Sequence, residues 1–321
     1  MTTKKTAINH ILYVLKTVNL KSLGPKRQGK VRDIYILKDK RIIVTTDRQS
    51  AFDKVLGYIP FKGQVLTQIS AFWFDKTKDI IQNHIIAVPD PNVMVVKNCE
   101  IIPIEMVVRG YITGVTDTSI WGSYEKGERI IYGLKFPDGL KKNQKLPKPV
   151  ITPTTKAEKG HDERLTEDEI LKRKIVSKAM WRQMKEVSLA LFARGQRICQ
   201  RAGIILVDTK YEFGIYKGKL MLIDEIHTPD SSRYWTLKTY KDRFKKGLEP
   251  QSHDKEPLRM WFKQKGYTGE GKAPTMPADF VATISLLYQS IYEKITKKKF
   301  IADTATNIEK RIQKNIQAYT L

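Results

Sequence analysis

The chain has 321 residues, enough to bury one large core or two lobes, and its 41% hydrophobic content is ordinary for a globular fold. No apolar run approaches the roughly 20 residues of a membrane span, and ILYVL near the N-terminus is too short for a signal-peptide core, so a cytoplasmic protein is expected. The net charge of +24 brings nucleic acid to mind, but the lysine-rich stretches KKTAINH, KTYKDRFKKG, KQKG and ITKKKF are scattered, and several fall on helical segments where a solvated lysine face is the commoner reading. No nucleic-acid partner is expected, whereas small anionic substrates suit such a field. Cys99 and Cys199 have neither metal-ligand nor disulfide-framework spacing and read as reduced packing residues.

In chain order, a short helix is expected over residues 8–15. GKVRDIYIL, RIIVTTD and MVVKNCEII are β-rich and bounded by turn residues, while LTQISAFWFDKTKDII has apolar positions at helical spacing. A second stretch opens with MVVRGYIT and passes through FPDGLKKNQKLPKPVITPTTKAEKGHDE, a loop rich in proline, glycine and lysine. One long helix is expected over residues 166–202, started by a Thr166 and Glu169 capping box. Then come strands over DTKYEFGIY and LMLIDEI, and three helical segments: PLRMWFKQKG, ADFVATISLLYQSIYEKIT and IADTATNIEKRIQKNIQAY. Strands first and helices later argue for the α+β class. No internal repeat is evident.

DTKYEFG raises the sharpest chemical question. Asp208, Lys210 and Glu212 alternate with Thr209, Tyr211 and Phe213, so a strand gathers three charges on one face. If the following hairpin closes with a three-residue loop at 217–219, Glu212 falls opposite Asp224, where two like charges repel. A hard divalent cation between the carboxylates, with Lys210 beside it, would suit a nucleoside triphosphate. A solvated hairpin face with a bridging lysine is the alternative.

Four further stretches carry chemistry-bearing residues. QGKVRDIYIL sets a glycine and the cations Lys30 and Arg32 before a strand, as a phosphate-covering loop or a plain surface hairpin would. TTDRQSAFD packs Asp47, Arg48, Ser50 and Asp53 into a loop after an apolar strand. Arg109 follows a run that should be buried and needs an anion there, either a structural partner or a substrate carboxylate. LIDEIHTPDSSRYW offers Asp230, Ser231, Ser232 and Arg233 in a turn, where two hydroxyls, a carboxylate and a guanidinium can read a phosphorylated sugar or cap a following helix.

With GKVRDIY, TTDRQSAFD, VVRGYITG, NQKLPKPVITPTTKAEKGHDE, DTKYEFG, DEIHTPDSSRYW, DKEPLR and GYTGEG in order, the chain resembles the SAICAR synthetase family, phosphoribosylaminoimidazole-succinocarboxamide synthases. The likeness runs over about residues 27–300. It implies a protein-kinase-like small N-terminal lobe (1–106) with a glycine-containing phosphate loop, and an ATP-grasp-like second lobe (107–321) with the C-terminal helices. It also implies an ADP-forming ligation in de novo purine synthesis. L-Aspartate is joined to the carboxylate of carboxyaminoimidazole ribonucleotide with ATP and Mg2+, by way of an acyl phosphate.

Carried over motif by motif, the resemblance gives Lys30 and Arg32 as phosphate-side cations, Glu212 and Asp224 as magnesium ligands, and Lys210 near the phosphates. Arg109, Asp230, Ser231, Arg233 and Arg259 fall where the family holds the ribonucleotide. Lys156 and Asp162 belong to a mobile loop near the substrates or to the aspartate site. Two positions depart from the pattern. Val115 takes the slot of a serine that follows the glycine, a role that either passes to Ser119 or is lost, and His253 stands where an apolar residue usually precedes the Asp-Lys pair. The animal enzyme's fused carboxylase domain is not expected on this chain. A small-molecule kinase is the rival reading, because it would share the lobes and the metal acids.

Overall fold

The computed structural model describes residues 2–116, 118–156 and 162–320. Helix α1 (Lys4–Asn9) begins where the Thr3 hydroxyl accepts from Thr6 N at 3.1 Å, and a 3-10 turn follows it over His10–Tyr13. The helix expected over residues 8–15 therefore starts earlier, at its capping threonine.

An antiparallel sheet comes next, built from β1 (Lys26–Gln28), β2 (Arg32–Ile36) and β3 (Lys40–Thr45). The segment expected as a loop over TTDRQSAFD is instead a small hairpin, β4 (Arg48–Ala51) and β5 (Lys54–Tyr58). Its tip, Phe52 and Asp53, takes positive φ at both residues, 50° and 58°, the backbone twist that lets two strands close through two residues. Helix α2 (Lys62–Thr77) leads to β6 (Ile85–Asp90) and β7 (Val93–Lys97), which complete the order β1-β2-β3-β7-β6.

Strand β8 (Glu100–Ile112) carries the chain into a second sheet, and residue 106 lies within it. Helix α3 (Ile120–Glu125), the short ribbon β9 (Ile130–Ile131) and β10 (Leu134–Lys135), then β11 (Gln144–Ile151) and β12 (Thr154–Thr155) follow. The single helix expected over 166–202 is two, α4 (Glu167–Lys172) and α5 (Lys178–Arg201). Thr166 and Glu169 form the expected capping box on α4. Lys174 then turns left-handed, with φ 53°, and Ser177 caps a new helix. Strands β13 (Ile204–Tyr216), β14 (Lys219–Ile223) and β15 (Ser232–Thr236) finish the sheet in the order β11-β8-β13-β14, with β12 on β8 and β15 on β13.

Helix α5 buries Trp181, Met184, Leu191, Phe192 and Cys199 in one core with Met106, Val108, Leu206, Tyr211 and Phe213 of the sheet. Leu206 and Tyr211 differ in parity yet share that core. The β-bulge between Leu206 and Asp208 accounts for this, because an extra residue reverses which side chains face the helix. Beyond the bulge, the even-numbered positions 208, 210 and 212 point away from the core.

Helices α6 (Leu237–Lys245), α7 (Glu256–Gln264), α8 (Ala278–Thr296) and α9 (Ile308–Ile316) close the chain. The last of these returns to the first sheet, where Ile308, Ile312 and Ile316 pack on Tyr35, Ile42, Val44, Val93 and Val95, and Arg311 forks onto Asp90 at 2.9 and 3.1 Å. The architecture is α+β, as the order of predicted strands and helices implies. None of the described helices is long and apolar enough to cross a membrane.

Candidate active site

Strands β13 and β14 join through Lys217 and Gly218, whose φ values of 50° and 74° make a two-residue turn. Tyr216 therefore pairs with Lys219, and Glu212 with Ile223. This is one residue out of the register expected from a three-residue loop, and Glu212 does not lie opposite Asp224. Asp224 instead stands just past β14 with φ 66°, a left-handed conformation that turns the chain off the strand line. There its carboxylate meets the first sheet: Arg32 Nη1 donates to Asp224 Oδ1 at 2.6 Å, and Arg32 Nη2 lies 2.9 Å from Glu225 Oε2.

Around this clasp lies a dense set of charges. Glu212 pairs with Glu105 across β8. Lys210 bridges the two, with a short bond to Glu105 and one of 3.1 Å to Glu212 Oε1, and Lys156 bonds the other oxygen of Glu212. Burial works against the charge on Lys210, but Glu212, Glu105 and Asp224 outweigh it and hold the ammonium well above its ordinary value. Burial likewise opposes ionisation of Asp224. Arg32, Lys156 and Lys210 more than offset it, so the carboxyl stays ionised well below its usual range. Burial is the main reason that Glu105 is pushed up, and nearby Glu212 and Asp162 add to it. Arg32 Nε is buried with no partner among the described residues, a donor left for something else.

A second cluster sits further along β13. Asp208 faces Arg109 on β8 and Arg233 on β15. Arg233 Nη1 makes a short ion pair with Asp208, and Arg109 Nη1 lies 3.5 Å from the same carboxylate. Thr152 Oγ1 and the Thr118 carbonyl accept the other bonds from Arg109, at 2.8 and 2.9 Å. The partner of the buried Arg109 is thus a structural acid, but one shared with a second guanidinium. Glu256 and Asp254 also act on Arg233, and two guanidiniums that converge on one carboxylate keep donors that can take an added anion.

Ser119 and Arg233 both border Gly114, the Ser119 Cβ so closely that any side chain at 114 would strike it. The Ser119 hydroxyl caps α3, accepting from Gly122 N at 3.1 Å and donating to the Thr116 carbonyl at 2.6 Å. Val115 is half exposed.

The segment 228–231 is a hydroxyl-stabilised turn, in which Ser231 N donates to Thr228 Oγ1 at 3.1 Å and Thr228 N to Ser231 Oγ at 3.2 Å. A strand, β15, follows it and not a helix. Asp230 points inward, its oxygens bonded by Lys62 and Tyr288 at 2.8 Å each.

Arg259 stands on α7 with Nη1 3.5 Å from Glu256, and Lys30 pairs with Asp53 at the tip of the β4–β5 hairpin. His253 hydrogen-bonds Thr236 Oγ1 at 2.8 Å, and burial lowers its pKa to about 4. Lys156 and Asp162 flank residues 157–161, the part of the expected mobile loop that lies outside the described residues.

The structure therefore brings together Arg32, Lys156, Lys210, Glu212 and Asp224 at one end of β13, and Arg109, Ser119 and Arg233 towards the other. Glu105, Asp208, Glu225, Lys62 and Tyr288 belong to these networks without having been singled out as site residues. Asp208 had a signal, since it shares the charged face of DTKYEFG. Glu225 also had one, as the neighbour of Asp224 in DEIHTPDSSRYW, whereas Glu105, Lys62 and Tyr288 are isolated residues in apolar or ordinary contexts that only the tertiary pairing reveals.

Comparison with known proteins gives the family. The family model described as SAICAR synthetase matches residues 26–276. A phosphoribosylaminoimidazole-succinocarboxamide synthase from Legionella pneumophila (strain Paris) is 50% identical over 300 residues, covering 92% of this chain and 96% of the relative. Among solved structures, the SAICAR synthase of Saccharomyces cerevisiae complexed with SAICAR aligns with a TM-score of 0.78 at 32% identity, over 90% of this chain and all of that one. A SAICAR synthetase in complex with ADP aligns at 0.66 with 26% identity, over 87% of this chain and all of its own. The chain belongs to the SAICAR synthetase family, ATP-dependent ligases that attach aspartate in purine biosynthesis, with the kinase-like and ATP-grasp-like lobes of that fold.

Proposed function

We propose that the chain joins L-aspartate to the carboxylate of carboxyaminoimidazole ribonucleotide, with ATP and Mg2+ meeting at the Lys210 end of β13 and the ribonucleotide at the Arg233 end. In this reading the first lobe, up to about residue 106, covers the nucleotide, and the remainder carries the metal acids and the acceptor. A cytosolic location goes with it. The observation that carries the proposal is the charge pattern of one strand. Asp224 is held ionised by the cations around it, Glu212 is bridged by Lys210 and Lys156, and two residues before Lys210 the chain enters the Asp208 cluster with its two guanidiniums.

Glu212 and Asp224 fit a hard divalent cation, which takes one or two protein carboxylates and completes its shell with phosphate oxygens and water. Among the described residues no group of three or more His, Cys, Asp or Glu could hold a metal ion, so in this reading Glu212 and Asp224 need phosphate oxygens and water to complete the shell. The Lys156 ammonium already bridges to Glu212 and stabilises ionised Asp224, so this spot accepts positive charge. When bound, Mg2+ would neutralise charge on the phosphates.

The protein's own groups do the rest. Lys210, Lys30 and Arg32, with its unpartnered Nε, hold the triphosphate. Arg109, Ser119, Ser231, Arg233 and Arg259 hold the ribonucleotide, with Asp230 in the turn that presents two of them. Lys156 and Asp162 border the aspartate. Amide formation needs an activated carboxyl. A ribonucleotide carboxylate oxygen attacks the γ-phosphorus and ADP leaves; the aspartate amine then attacks the acyl carbon, loses a proton, and phosphate leaves with that oxygen. Phosphoryl transfer of this kind is mostly positioning and charge neutralisation.

An assay of ADP formation tests the proposal. With ribonucleotide, aspartate and ATP-Mg2+ present, ADP should form stoichiometrically with a succinocarboxamide product. Stable phosphate ester accumulating without aspartate would identify a small-molecule kinase instead.

A further inference from the structure

Lys62 has none of its side chain exposed. It occupies the first turn of α2, where Phe61 takes a left-handed φ of 65° and Gly63 presses on β3 so closely that a Cβ would lie 2.3 Å from the Thr45 carbonyl oxygen. The start of the helix is thus pinned, and the backbone aims the lysine. Its Nζ donates to the Arg48 carbonyl at 3.0 Å and to Asp230 Oδ2 at 2.8 Å.

The other oxygen of Asp230 accepts from the Tyr288 hydroxyl on α8 at 2.8 Å, and Lys255 Nζ lies 3.4 Å from Oδ2. Burial opposes ionisation of Asp230, yet Lys255 and Lys62 hold its carboxyl well below the usual range. Elements distant in sequence converge on this carboxylate, and both of its oxygens are engaged within the protein. Asp230 is also the residue next to Ser231 and three before Arg233, in a turn otherwise held by the Thr228 and Ser231 hydroxyls. A buried carboxylate held by a lysine and a phenol resists displacement, because freeing it would strand a charge away from water.

We propose that Lys62 and Tyr288 are positioning residues for the ligation. They anchor Asp230, and so fix the turn that presents Ser231 and Arg233 to the ribonucleotide. This rests on the reading that those two residues hold the ribonucleotide.

The test compares Tyr288→Phe, Lys62→Met, the double variant Lys62→Met/Asp230→Asn and Arg233→Lys in the full chain. Tyr288→Phe keeps the ring and removes only the hydroxyl. It should raise the ribonucleotide KM roughly tenfold, the scale of one hydrogen bond to a charged group, with the ATP KM within about twofold of wild type. Lys62→Met should raise the ribonucleotide KM further and lower the melting temperature. The double variant, which also leaves Lys255 without the Asp230 carboxylate, should recover neither melting temperature nor ribonucleotide KM.

Equal rises in both KM values, or recovery of the ribonucleotide KM in the double variant, would overturn the inference and leave a purely structural ion pair. If Arg233→Lys raises the ribonucleotide KM while Tyr288→Phe does not, the inference alone fails. If Arg233→Lys leaves that KM unchanged, the ribonucleotide reading of the turn fails and takes the inference with it.

Discussion

Arg32 Nη1 lies 2.6 Å from Asp224 Oδ1, a bond that ties β2 of the first sheet to the end of the β13–β14 hairpin in the second. The same guanidinium reaches Glu225 at 2.9 Å. One planar fork therefore sets the orientation of a proposed metal acid and the approach of the two sheets. Arg32→Lys keeps the charge but cannot hold two acids at once. It should cost about 2 kcal/mol in kcat/KM for ATP, roughly 30-fold, on the scale of charged hydrogen bonds. Steady-state kinetics with ATP varied check this, and near-normal values would detach Arg32 from the nucleotide.

Glu212→Gln and Asp224→Asn should each abolish turnover and leave circular dichroism unchanged. Each replaces an anionic oxygen donor with a neutral amide that binds a hard cation poorly. Turnover is to be measured across a magnesium titration. Either variant working normally at limiting magnesium would remove it from the metal site.

Arg233→Lys should raise the ribonucleotide KM far more than the ATP KM. Arg233 shares buried Asp208 with Arg109, and a lysine can satisfy that acid without presenting a second face to an anion. The expected loss is about 2 kcal/mol in specificity for the ribonucleotide. Equal effects on both substrates would contradict the assignment of this end of β13.

His253 predicts a pH effect on stability. Burial, with Lys294 nearby, lowers its pKa from 6.5 to about 4, so the folded state favours the neutral ring. That contribution is fully present above pH 6.5 and is lost as pH falls from 6.5 through about 4, where the unfolded chain binds the proton more tightly. Denaturant titrations of wild type and His253→Leu across pH 7 to 4 should show a shallower decline in the variant. Parallel declines would show that the ring does not titrate differently on folding.

The parts of this account legible in sequence are those set by local pattern. Alternation along DTKYEFG put Asp208, Lys210 and Glu212 on one face, and Thr166 with Glu169 announced the start of α4. What was not legible depended on backbone choices or distant pairing. Lys217 adopting a left-handed conformation shortens the hairpin loop and shifts Glu212 to Ile223, and another left-handed residue, Asp224, sends its carboxylate to Arg32. Nothing local to 217–224 distinguishes this from a three-residue loop. Lys62 reads as one lysine at the edge of an apolar helix, and its meaning comes from Asp230, 168 residues away. The partner of Arg109 was open in the sequence because strand pairing, which sets β8 beside β13, decides it.

In the proposed reaction the ribonucleotide carboxylate, fixed at the Arg233 end of β13, is phosphorylated by the nucleotide held at the Glu212 end. If so, one carboxylate oxygen must leave with the phosphate when the aspartate amine displaces it. Ribonucleotide labelled with heavy oxygen in that carboxylate, turned over with aspartate and ATP, is the most direct measurement. Inorganic phosphate should carry one labelled oxygen per turnover. Unlabelled phosphate released as product forms at the normal rate would contradict it.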